Sequence, residues 1–126
     1  FVVYSAAGAN LLVDVKGRKF PYVSRGRKRY WENWVEQDDL TALARWQEIF
    51  GAGFQAVLVF AYLLGDPGEA AKFVDVHLFR QEFYGFLAVP CELYGDHSRL
   101  RSPSWRTFSM PTGLFRELAA PATSLL

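Results

Sequence analysis

The chain has 126 residues, of which 51% are hydrophobic and 17% aromatic, and its formal net charge is +1. That length and composition predict one domain with a real core and exclude an intrinsically disordered chain. The apolar runs, the longest around Ala56–Leu64, are too short to span a bilayer, and the lone cysteine, Cys91, excludes an internal disulfide and a cysteine-rich zinc site, so a reduced, cytoplasmic setting is the simplest expectation. No signal-peptide pattern is visible, and because the chain opens on Phe1 without a methionine, an upstream segment is expected to precede it.

Phe1–Tyr4 reads as a short apolar strand, and Ser5–Asn10 as a turn of small residues in which Gly8 and Asn10 can take the positive φ of a hairpin. Leu11–Lys16 is expected to pair back antiparallel on that first strand. Side chains alternate along a strand, so Leu12, Asp14 and Lys16 share one face, while Leu11, Val13 and Val15 face the other way into a core. A carboxylate beside an ammonium at a strand end can hold a divalent metal and place a water. The same pair can equally be a cross-strand ion pair, although aspartate is depleted in strands.

The charge is unevenly spread. Lys16, Arg18, Lys19, Arg25, Arg27, Lys28 and Arg29 are half of the 14 lysines and arginines, and Asp14 is the only acid before Glu32. Such a cluster suits a polyanion, DNA or RNA, or else a solvated loop. Phe20–Tyr30 is expected to be a loop broken by Pro21 and Gly26. Its aromatics either stack on bases between the cations or cover the sheet.

A helix should follow. Asn33 and Glu36 resemble a capping box, and Glu36, Asp38 and Asp39 suit the positive end of a helix dipole. Leu40, Leu43, Trp46 and Phe50 form the predicted buried stripe, and Gly51 and Gly53 end the helix. At about 100° per residue, Asp39 falls on that stripe and Gln37 well off it. Phe54–Leu64 reads as a central strand buried on both faces, and strand, helix and buried strand together make a crossover unit of an α/β fold.

Gly65–Gly68 is a predicted turn. Phe73–Phe79 is a predicted strand with Val74, Val76 and Leu78 on one face and Asp75, His77 and Phe79 on the other, and Phe83–Val89 is its antiparallel neighbour. Asp75 with His77 is a weak metal-ligand pattern. Cys91–Arg99 is a short helix or a loop, with Cys91 a small buried residue and His97 on the surface. Trp105–Met110 is expected to be the last strand, Thr112 the cap of a terminal helix with Leu114, Phe115 and Leu118 inward, and Ala119–Leu126 a fraying tail. No Ser–His–Asp order or glycine-rich phosphate loop is present.

A hairpin whose second strand ends in acid-x-Lys, a basic loop, a helix ending in Phe-Gly and a buried strand together resemble the PD-(D/E)xK nuclease superfamily, closest to its archaeal Holliday-junction-resolvase branch. The matching residues are Val13-Asp14-Val15-Lys16 with Arg18 and Lys19, Asp39–Leu43 with Trp46 and Phe50-Gly51, and Ala56–Phe60. The resemblance covers Phe1–Leu64. It implies a restriction-endonuclease-like mixed central sheet with a β-hairpin, a crossover helix and a flanking C-terminal helix.

It further implies Mg²⁺- or Mn²⁺-dependent hydrolysis of DNA phosphodiesters, with Asp14 and the Val15 carbonyl as metal ligands. Lys16 would orient the attacking water or offset charge on the phosphate, and Asp39, ahead of Gln37, would be the polar helix residue near the site. Arg18, Lys19, Arg25, Arg27, Lys28 and Arg29 would meet the nucleic acid, and a homodimer is compatible with the resemblance. The family also places an acid just before the first strand of the hairpin. No Asp or Glu precedes Asp14, so either that acid lies upstream of Phe1 or the domain is an inactive descendant. A non-catalytic nucleic-acid-binding module, or an interaction domain using Trp31, Trp34, Tyr84 and Trp105, are the alternative expectations.

Overall fold

A computed structural model describes residues 1–6 and 8–125; Ala7, within the predicted turn, and Leu126, at the end of the predicted tail, lie outside the described residues. The chain begins with β1 (Val2–Val3), β2 (Asn10–Phe20), β3 (Tyr22–Ser24), β4 (Arg27–Arg29) and β5 (Val35–Glu36). Helix α1 (Gln37–Phe50) leads to β6 (Phe54–Leu64), and a 3₁₀ turn at Pro67–Lys72 leads to β7 (Val76–Phe79) and β8 (Glu82–Pro90). Then come α2 (Cys91–His97), β9 (Arg99–Ser102), β10 (Thr107–Ser109), α3 (Thr112–Leu118), β11 (Ala120–Pro121) and a closing 3₁₀ turn at Ala122–Leu125.

The fold is mixed α/β. Its main sheet has the order β1-β2-β6-β8-β11, with β7 also on β8. β2 and β6 pair parallel from Asn10 opposite Phe54 to Phe20 opposite Leu64, as a crossover through α1 requires, while β1, β8 and β11 join antiparallel. β6 therefore sits in the centre, as its near-continuous apolar sequence predicts. No helix among the described residues is long and apolar enough to cross a membrane.

The in-register pairing sorts the side chains. Leu12, Asp14, Lys16, Arg18 and Phe20 lie on the same sheet face as Ala56, Leu58, Phe60, Tyr62 and Leu64. That face carries the main core, completed by Val35, Leu43, Phe73, Tyr94, Met110 and Phe115. The opposite face is thin: Leu11, Val57 and Ala88 are covered by Val3, Val13, Val59 and the C-terminal Ala122 and Leu125. That cover stops short of Val15, which is 42% exposed rather than in a core.

Several expectations change for local reasons. The second strand runs on to Phe20 because β6 offers pairing along its whole length. The basic loop is a hairpin, β3 with β4, turning at Arg25 (φ 51°) and Gly26 (φ 73°), where the positive φ of both central residues suits a tight two-residue connection. Glu36, not Asn33, precedes the first turn of α1, and Asn33 is buried. On α1 only Leu43 is buried, and Trp46 (52% exposed) and Phe50 (36%) stand over a cleft instead of the sheet.

The strand predicted over Phe73–Phe79 begins only at Val76, because Phe73 turns inward into the core over Gly85, where a Cβ would lie 2.4 Å from its ring. Thr112 is the first helical residue of α3, behind Pro111, rather than its cap. Trp105–Arg106 precede β10 in a turn, and β10 is not the last strand. The predicted tail is docked: Ala120 and Pro121 pair with Ala88 and Leu87.

Candidate functional site

Charged side chains do not ordinarily occupy the helix-covered face of a strand. β2 places Asp14, Lys16 and Arg18 there in succession, between buried Leu12 and Phe20. Each meets different partners. Lys16 Nζ lies 3.2 Å from Asp14 Oδ2 and 2.5 Å from Asp39 Oδ2. Asp39 reaches it because α1 carries that residue, in its first turn, on the face toward the sheet, as the helical phase predicts. Partial burial opposes the ammonium, but the hydrogen bond to Asp39 and the charge and hydrogen bond of Asp14 outweigh it and hold Lys16 above the usual lysine range. Gln37 points elsewhere, its Oε1 accepting from Arg106.

The strand edge beside this cluster is open. Val13 exchanges hydrogen bonds with Phe1, its carbonyl accepting at 2.9 Å and its N–H donating at 2.7 Å, and β1 pairs no further along. Backbone groups alternate in direction along a strand, so the Val15 carbonyl points to the same edge, where no strand among the described residues pairs with it. A cleft of about 490 Å³ flanks Asp14 and Asp39, walled by Phe1, Val13, Trp46 and Phe50.

Arg18 is turned inward, unlike the other predicted nucleic-acid contacts. Its guanidinium stacks 3.9 Å from the Trp34 ring centre and donates to the Gly17 and Trp34 carbonyls. Burial, joined by the like charge of Arg101, pushes it below the usual arginine range. Lys19, Arg25, Arg27, Lys28 and Arg29 are all exposed, the last four on the β3–β4 hairpin. Sequence reasoning missed Arg101 and Trp34 as neighbours of Arg18, since only the tertiary fold joins β9 to β2.

The segment joining β4 to β5 crosses the buried layer, so its carbonyls need donors. Trp31 O accepts from the Asn33 side chain, Glu32 O from Tyr62, Asn33 O from Tyr94 and Trp34 O from Arg18. Burial pushes both phenols above the ordinary tyrosine range. Among the aromatics suggested for an interface, Trp31 is core, Trp34 lies under Arg18, and Trp105 is 77% exposed.

Asp75 and His77 each have other partners. Asp75 accepts from the Thr123 N–H (2.9 Å) and hydroxyl (2.7 Å), while His77 packs against Phe86. Burial works against the Asp75 carboxylate, but the Thr123 hydrogen bonds overcome it and hold the group below the usual carboxylate range. A carboxyl depressed in the folded state stabilises above its unfolded value, about 3.9, and that contribution is lost as pH falls through the folded value. Asp75→Asn should therefore cost about 1–2 kcal/mol at pH 7. The gap in melting temperature between the two proteins should shrink below about pH 4; a gap that stays constant would show that the charge is irrelevant.

Burial, with the Asp14 charge, pushes the Cys91 thiol up, so it is not a thiolate at neutral pH. Among the described residues no cluster of three or more His, Cys, Asp and Glu is placed to hold a metal. No protein-family model matches the chain, and neither a curated protein nor a solved structure matches it.

Proposed function

We propose that this domain is a nuclease-like module of the PD-(D/E)xK type, acting on DNA phosphodiesters with Mg²⁺ or Mn²⁺. The observation that supports it most is the Lys16 ammonium shared by Asp14 and Asp39, on a strand face otherwise buried and beside an open strand edge. The donor chemistry suits such an ion: carboxylates and an outward carbonyl are hard oxygen ligands, and Mg²⁺ is commonly held by one or two carboxylates with waters completing its shell. With one lysine against two carboxylates, the cluster also keeps net negative charge for a cation.

Asp14, the Val15 carbonyl and Asp39 would hold the metal, which when bound acidifies a water and offsets charge on the phosphate. Lys16, held protonated, would orient that water or stabilise charge on the phosphoryl oxygens. The chain should broaden the Asp14, Val15 and Asp39 amide signals when titrated with Mn²⁺ in nuclear magnetic resonance, and Asp14→Asn should abolish the effect. In any DNA cleavage, Asp14→Asn or Lys16→Ala should lower the rate by about 100-fold or more. Broadening that ignores Asp14, or cleavage that survives its replacement, would sink the proposal.

A second reading, nucleic-acid binding without catalysis, is favoured by the exposed β3–β4 hairpin. Replacing Arg25, Arg27, Lys28 and Arg29 with glutamine should weaken DNA binding without reference to metal. It should also flatten the dependence of log affinity on log salt by about 0.9 for each phosphate that is no longer neutralised. An unchanged slope would remove the hairpin from the interface.

A further inference from the structure

Beyond the Lys16 cluster, on the next position of the same β2 face, lies a pocket of about 310 Å³ lined by Arg18, Lys19, Arg29 and Arg101, with Trp34 beneath and Glu32 as its one acid. Its cations come from three separate parts of the chain: β2, the basic hairpin and β9. None of the four makes an ion pair among the described residues, whereas Lys16 nearby makes two.

Arg18 and Arg101 both stand over the Trp34 ring, at 3.9 and 5.4 Å from its centre. The like charges are thus drawn together without a carboxylate in contact with either. Arg18 has only neutral carbonyls as partners, and its Nε–H is shielded from solvent with no partner at all. A partly desolvated guanidinium with no carboxylate in ion-pair contact, Glu32 acting only through space, is costly to the fold, and an anion seated in the pocket relieves both the desolvation and the repulsion. Arginine's planar donors suit phosphate oxygens, and Lys19 and Arg29, exposed at the mouth, are free to close on the same group.

We infer that this pocket binds a phosphate group, and that in nucleic acid it seats a backbone phosphate next to the one presented to Lys16. Positions 16 and 18 of one strand face are about 6.6 Å apart, so the two sites lie within reach of neighbouring phosphates of one strand. The inference rests on the proposed function only for the source of the phosphate. The pocket's affinity for the anion stands on its own residues.

The test is titration of the chain with inorganic phosphate, and separately with a single-stranded oligonucleotide, followed through the arginine Nε–H and tryptophan indole signals. Phosphate should shift the Arg18 Nε–H and Trp34 signals. Arg101→Gln, an exposed change that spares the core, should weaken phosphate binding about tenfold, with the oligonucleotide shifting the same signals. Phosphate binding without oligonucleotide binding would uphold the pocket and overturn the nucleic-acid reading. Oligonucleotide binding that leaves these signals and the Arg101→Gln affinity unchanged would overturn the pocket and spare that reading. Shifts from phosphate scattered over surface lysines, equal in Arg101→Gln, would likewise overturn it.

Discussion

Phe20→Ala is expected to destabilise the fold by about 4 kcal/mol. Phe20 closes β2 and is fully buried, with ring centres of Tyr30, Trp31, Tyr62 and Phe73 within 5.6 Å, all in edge-to-face contact. With Trp31 and Tyr62, it ties the end of β2, the base of the basic hairpin, the central strand and the turn before β7 to one point. Its removal opens a cavity between rigid rings that cannot collapse inward, so the cost sits at the high end for a core truncation. A domain of ordinary stability holds only about 5–15 kcal/mol, so the loss should be plain in urea denaturation as a lower midpoint at unchanged slope. A loss under about 1.5 kcal/mol would mean that the rings repack. Phe20→Leu should recover more than half of the deficit, because it refills most of the volume.

Asn33→Ala should cost about 3 kcal/mol through polar groups rather than volume. The Asn33 side chain accepts from the Met110 N–H at 2.7 Å and donates to the Met110 carbonyl at 3.1 Å and the Trp31 carbonyl at 3.2 Å. It stands in for a strand partner, pinning the residue after β10 to the crossing segment. Alanine would orphan the Met110 N–H and leave two buried carbonyls without this donor. A fall in melting temperature of about 10 °C is the expected reading. Asn33→Asp discriminates the cause: it keeps the acceptor but loses both donated bonds and buries a charge, so it should be no better than alanine near neutral pH. An aspartate variant as stable as the parent would show that only the Met110 N–H matters.

The central strand was legible in the sequence because its apolar run is long and nearly continuous, and the parallel crossover followed from the helix between two strands. The contact of Asp39 with the Lys16 cluster was legible too, because helical phase fixes which way a first-turn residue faces. The basic hairpin was hidden, since Tyr22–Arg29 carries no buried alternation and its strands are held by backbone pairing alone. Asn33 looked like a helix cap because capping and buried clasping use the same short amide. Arg18 looked like a surface cation, and nothing local could show that Trp34 and Arg101 would enclose it. The docked tail was invisible because its anchor, Asp75, lies in a distant segment.

The unpaired edge of β2 has a consequence for how the molecule keeps to itself. From Val15 onward no strand among the described residues pairs with it, beside an exposed Val15 side chain, the arrangement through which chains join into aggregates. Lys19 stands exposed on that same stretch, and charge is the common means of keeping such edges apart. A cation that suits a polyanion thus also acts as a gatekeeper, and a variant without Lys19 would be left with a stickier edge as well as a weaker grip on phosphate.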